Sequence, residues 1–155
     1  MKKTPIIVSA CLIGKRCRYN GEDRAHAGVI RFLRGKKYLA VCPEMLAGWG
    51  VPRPPVEFRG GGVEKVLRGE ARIEDNSGKD RTKSLMKGVA RALSRALRVQ
   101  PSAAILKEKS PSCGVKKVYR DGRLKRGQGL FAYALRRRGV EVRSEESFAA
   151  QSGKP

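Results

Sequence analysis

With 155 residues the chain is the size of one ordinary domain, and an apolar fraction of 40% suffices to bury a core without staples. Thirty-five Lys and Arg against fourteen Asp and Glu leave a formal net charge of +21. That field either attracts anions, phosphates and nucleic acid among them, or serves solubility alone. Aromatics at 6% argue against a base-stacking platform, no apolar run reaches membrane-span length, and the four cysteines lack the C-x-x-C pairs of zinc fingers and thiol oxidoreductases.

A basic start, Met1-Lys-Lys-Thr-Pro5, precedes an apolar run that is short and ends at Gly14-Lys-Arg16. It reads as a first strand over 5–10, not as a signal peptide, and a cytoplasmic location is expected. A glycine loop follows to the Asn20-Gly21 turn. Val29, Ile30 and Leu33 predict a short helix over 26–34, ended by Gly35. A second strand is predicted over 38–41, then a loop over 42–50 with room for one helical turn. Pro52, Pro54 and Pro55 make 51–55 a stiff, extended segment. Residues 56–58 read as an edge strand. After a flexible turn at Gly60-Gly61-Gly62, residues 63–67 and 71–73 read as a small hairpin beside the main sheet.

The clearest helix is predicted over 80–99, where Leu85, Val89, Leu93 and Leu97 recur every four residues. Asp80 is its candidate cap. Lys83, Lys87, Arg91, Arg95 and Arg98 form a solvated face or a phosphate-tracking ridge. A strand over 103–106 runs into a tight loop over 107–114. Val118-Tyr119 and the Asp121-Gly122 turn follow, then a helix over 130–138, a last strand over 140–142, a helical turn at Glu145-Glu146 and a frayed tail from roughly 150. Strands alternating with helices predict an α/β sandwich with a mostly parallel sheet, in a single domain over 1–155.

Three apolar runs deliver a cysteine at or just past their carboxyl ends: Cys11, Cys42 and Cys113. As neighbouring parallel strands they would bring three thiols to the edge where open α/β sheets bind ligands. Thiolates are soft ligands for iron–sulfur clusters or zinc, and three of them around a cubane leave one iron free for substrate. The alternative is that all three are small buried hydrophobes. Cys42-Pro-Glu44 adds a carboxylate at the same edge. His26, the lone histidine, has no nucleophile placed beside it and reads as structural.

Five segments in order resemble the thiouracil desulfidase family, long filed as a domain of unknown function: Val8-Ser-Ala-Cys-Leu-Ile-Gly14, Cys17-Arg-Tyr-Asn-Gly21, Cys42-Pro-Glu44, Pro52-Arg-Pro-Pro55 with Gly60-Gly61, and Ser110-Pro-Ser-Cys-Gly114. The resemblance runs from about residue 5 to 145. It implies a Rossmann-like three-layer sandwich holding a 4Fe–4S cluster, with Cys11, Cys42 and Cys113 as ligands and one open iron. It also implies removal of sulfur from thiouracil or a thiouracil-containing nucleotide, C=S becoming C=O without redox chemistry. Glu44 is then the acid–base residue, and Ser110 with Ser112 orients the substrate. Cys17 stands where relatives carry valine and is not assigned as a ligand. A small thiolated base or nucleotide is the expected partner. Thiolated tRNA is the larger alternative that the charge allows. A non-catalytic, basic nucleic-acid-binding protein with structural or zinc-bound cysteines is the competing reading.

Overall fold

The computed structural model describes residues 4–148; the tail expected to fray lies outside the described residues. In chain order the elements are β1 (Ile6–Ser9), α1 (Ala27–Leu33), β2 (Tyr38–Val41), α2 (Pro43–Leu46), β3 (Val56–Arg59), α3 (Val63–Leu67) and β4 (Arg72–Asp75). Then come α4 (Thr82–Arg98), β5 (Ala103–Leu106), β6 (Lys117–Arg120), β7 (Arg123–Arg126), α5 (Leu130–Arg137) and β8 (Glu141–Ser144). Short 3-10 turns at Ala10–Ile13 and Glu145–Ser147 extend β1 and β8.

The main sheet is parallel throughout, in the order β2-β1-β5-β8. Its central strands are buried on both faces, as parallel strands require. Ile7 of β1 packs with Leu85 and Val89 of α4 and Leu130 and Phe131 of α5. Ile6 and Val8 point the other way, into Val29 and Leu33 of α1. Helices therefore cover both faces, giving the three-layer α/β sandwich.

The second sheet is larger than expected. It is mixed, in the order β4-β3-β6-β7, and β3 is an interior strand rather than an edge. Residues 63–67 are helix α3, not half of a hairpin. Val63 and Val66 are β-branched and suggest a strand, but their spacing of three puts both on one buried helical face. The antiparallel partner of β3 is β4, and α3 bridges them. Phe58, Ile73 and Val118 of this sheet join the same core as Ile7. β7 lies at the outer edge with all four residues exposed.

Two contacts position the segments at the carboxyl ends of β2 and β5. A Cβ on Gly88 of α4 would collide with the Pro43 carbonyl oxygen and lie 2.8 Å from the Ala47 nitrogen, so only glycine lets α2 sit this close. Glu108, 1% exposed, closes the loop after β5. Its carboxylate accepts the backbone N–H groups of Val115 at 2.8 Å, Lys116 at 2.9 Å and Lys117 at 3.3 Å.

Burial pushes the Glu108 carboxyl up, but the N–H bonds from Lys116 and Val115 outweigh it and hold the group below its usual range. A lowered folded-state value means that the stabilisation is complete above the unfolded value of about 4.3 and is lost as pH falls toward the folded one. Glu108→Gln should cost about 2–3 kcal/mol near neutrality. Urea unfolding followed from neutral to acid pH should show a flatter stability profile for the variant than for the wild type.

Candidate active site

The order of the main sheet reverses at β1, which lies between β2 and β5. That is the crevice where open α/β sheets bind ligands. Cys11 sits in the turn after β1, Cys42 is the residue before α2 at the end of β2, and Cys113 lies in the loop after β5. All three line one cavity of about 490 Å³, together with Cys17, Glu44, Ser110 and Ser112. His26 lies outside it. Its Nδ1 accepts the Val29 N–H at 3.2 Å and caps α1. The basic stripe on α4 also lies outside, exposed to solvent.

The four cysteines are free thiols. Cys17 is closer to the others than its sequence position suggests: its thiol neighbours those of Cys11 and Cys42, and Cys42 Sγ donates to the Cys17 carbonyl at 3.9 Å. The Cys113 thiol neighbours the Ser9 and Ser112 side chains. Among the described residues, no three His, Cys, Asp or Glu side chains already stand at metal-binding spacing.

The surroundings raise the thiol pKa values of Cys17, Cys42 and Cys113. The neighbouring Cys11 thiol, with burial, pushes Cys17 up to about 11 against the opposing influence of Cys42. The neighbouring Cys17 thiol, with burial, raises Cys42 well above the ordinary thiol range. Burial pushes Cys113 up to about 12. None of these three is poised as a nucleophilic thiolate, which weighs against thiol redox chemistry. Metal capture has to displace their protons.

The loop bearing Cys113 is held by its own hydroxyl and by its neighbour helix. Ser110 Oγ accepts the Cys113 N–H at 2.8 Å. Pro111 and Ser112 carbonyls accept the N–H groups of Leu130 and Phe131, both at 2.8 Å, so the loop satisfies the open first turn of α5. Gly129 makes this approach possible, because a Cβ there would lie 2.7 Å from the Cys113 nitrogen.

A hydrogen-bonded chain runs along the cavity wall. Ser112 Oγ donates to Glu44 Oε2 at 3.2 Å, and Ser110 Oγ lies 3.1 Å from Ser112 Oγ. Since Ser112 gives its proton to Glu44, Ser110 donates to Ser112. The other carboxylate oxygen, Oε1, is taken by Arg53, whose Nε and Nη2 lie at 3.0 Å and 2.8 Å. In the sequence Arg53 reads only as part of a stiff proline segment. The signal that could have singled it out is that rigidity itself, which fixes where a long cationic side chain enters.

The rim is cationic and partly aromatic, with Arg18, Tyr19, Arg24, Lys107, Lys109 and Tyr119 lining the cavity. Arg18 Nη1 is buried there without a hydrogen-bond partner among the described residues.

A profile of the 2-thiouracil desulfurase family matches residues 6–147. The uncharacterized protein YbbK of Bacillus subtilis (strain 168) is 43% identical over 143 residues, covering 90% of this chain and 95% of its own. Among solved structures, the 4Fe-4S-dependent thiouracil desulfidase TudS is similar, with a TM-score of 0.78 and 36% identity over 94% of this chain and 93% of that one.

Raised thiol pKa values carry a direct readout. In the metal-free protein at about pH 8, iodoacetamide should label Cys17, Cys42 and Cys113 on the order of tenfold or more slowly than free cysteine. Labelling, followed by mass spectrometry, should rise with pH as the thiolate fraction grows.

Proposed function

The chain belongs to the 2-thiouracil desulfurase family, and from that membership we propose that it is an iron–sulfur-dependent desulfidase that replaces the sulfur of a thiouracil with oxygen. The observation that carries this reading is the set of three cysteines from adjacent parallel strands lining one cavity with Glu44 and Ser112. The donor set fits a cluster. Sulfur ligands are soft, they face the cavity from separate strands, and Cys11, Cys42 and Cys113 are one ligand short of a closed cubane. Such a cluster supplies, when bound, a Lewis-acid iron matched to a thiocarbonyl sulfur.

The protein's own side chains handle the water. Glu44 Oε2 accepts one hydrogen bond, from Ser112, and has room for a second. It takes a proton from water as the water oxygen adds to the thiocarbonyl carbon. The carbon–sulfur bond then breaks as the carbonyl forms, and both water protons, one returned by Glu44 and one from the new hydroxyl, leave with the sulfur. One water enters, one hydrogen sulfide leaves, and no electrons are exchanged. The Ser110–Ser112 pair orients the ring on one side of the cavity. Arg18 Nη1, buried without a partner among the described residues, is a donor available for a substrate oxygen. It favours a substrate with an oxygen acceptor beyond the reacting group, such as a thiouracil-bearing nucleotide, over the bare base.

The test is anaerobic reconstitution with iron and sulfide, then turnover of 2-thiouracil and of its nucleotide with sulfide release recorded beside the absorbance spectrum. Cys113→Ala should lose both cluster band and activity, whereas Cys17→Ala should keep both. Glu44→Gln should keep the cluster and lose about 10²–10⁴-fold in kcat. A colourless wild type that binds RNA without releasing sulfide would support the nucleic-acid-binding reading instead. Turnover of thiolated tRNA alone, with steep salt dependence, would identify RNA as the substrate.

A further inference from the structure

The cavity wall contains a buried arginine whose every hydrogen is spoken for. Arg53 has 5% of its side chain exposed. Nε donates to Glu44 Oε1 at 3.0 Å, and Nη2 donates to the same oxygen at 2.8 Å and to the Cys17 carbonyl at 2.7 Å. Nη1 donates to the Gly50 carbonyl at 2.7 Å and lies 3.7 Å from Met45 Sδ. A guanidinium has five N–H donors, and these contacts use five. None is left over for a substrate carbonyl or phosphate, so the cation lining the cavity here does not bind substrate.

Its partners say what it does instead. The Cys17 carbonyl belongs to the loop after β1, Glu44 to α2, and Gly50 to the turn beyond α2. The fork clamps these three segments, and Pro52, Pro54 and Pro55 stiffen the chain that carries it. Arg53 occupies Oε1 twice, so Oε2 is the oxygen that meets Ser112. Glu44 side-chain exposure is 12%, and nothing in the fork geometry lets the two oxygens exchange without breaking both bonds.

Resting on the desulfidase reading above, we propose that Arg53 is the positioning residue for Glu44, fixing which carboxylate oxygen faces the reacting water. A lysine keeps the charge but has one nitrogen, and a single ammonium does not reproduce a planar fork. Misplacing a reactive group by about 1 Å costs on the order of a hundredfold in rate.

The experiment is a double-mutant cycle on the cluster-loaded protein with 2-thiouracil: wild type, Arg53→Lys, Glu44→Gln and the double variant. Arg53→Lys should keep the cluster absorbance, change KM and the calorimetric Kd for uracil by less than about threefold, and lower kcat about 10–100-fold. The double variant should be no slower than Glu44→Gln alone, because Arg53 acts through Glu44. Additive losses in the double variant would overturn the proposal. So would a rise in KM with kcat retained, which would make Arg53 a substrate ligand, and so would loss of the cluster or fold in Arg53→Lys. Wild-type turnover with an unimpaired Arg53→Lys would overturn this assignment alone. A loaded wild type that releases no sulfide would overturn the desulfidase reading and this assignment with it.

Discussion

The short loop that carries Cys113 is held from several directions, and the rest of the site takes its position from it. Buried Glu108 gathers three successive backbone N–H groups beneath the loop. The opening turn of α5 donates into its carbonyls, and Ser110 bonds back to the Cys113 N–H. A charged acceptor with three donors, in a site 1% exposed, is a strong and directional anchor. Because Ser112 belongs to the same loop, that anchor also determines where Glu44 finds its hydroxyl partner. The floor of the cavity is thus a backbone feature, held by contacts within the protein itself.

The opposite wall is set by close packing rather than by charge. Gly88 admits α2 against α4, and α2 delivers Glu44 one residue after Pro43. Arg53 then locks the carboxylate in place. The two walls meet at the Ser112–Glu44 hydrogen bond, which joins residues 68 positions apart in sequence. Long-range precision of this kind comes from a helix–helix approach and a loop anchor, neither of which touches the substrate.

Much of this is legible in the sequence, for physical reasons that differ by element. Strands β1 and β5 are visible because parallel strands buried on both faces read as continuous apolar runs, and edge strand β2 is visible from its four apolar residues alone. The helix over Thr82–Arg98 is visible from its four-residue leucine and valine spacing. Asp80 does serve the start of that helix, accepting the Thr82 N–H at 2.9 Å, although one residue earlier than a standard cap. Helix α3 reads wrongly as a strand because its two β-branched valines favour a strand by propensity, and five residues are too few for their helical spacing to stand out. Glu108 is invisible because Lys107-Glu-Lys109 looks like a solvated charge cluster, and only the folded loop shows three donors converging on its centre. Gly88 is hidden for the converse reason: a glycine inside a strong helical pattern carries no signal until the second helix is placed against it. Family resemblance supplies the assignment of the cysteines, which spacing alone leaves open between cluster, zinc and simple burial.

The exposed strand β7 gives the charge a further meaning. A sheet edge displays unpaired N–H and C=O groups and invites another copy to add a strand. Here the edge strand reads Arg123-Leu-Lys-Arg126, three cations in four residues, on a chain of net charge +21. Two such edges repel each other before their backbones come within hydrogen-bonding distance. The same composition that would draw a polynucleotide therefore opposes the pairing of two β7 edges.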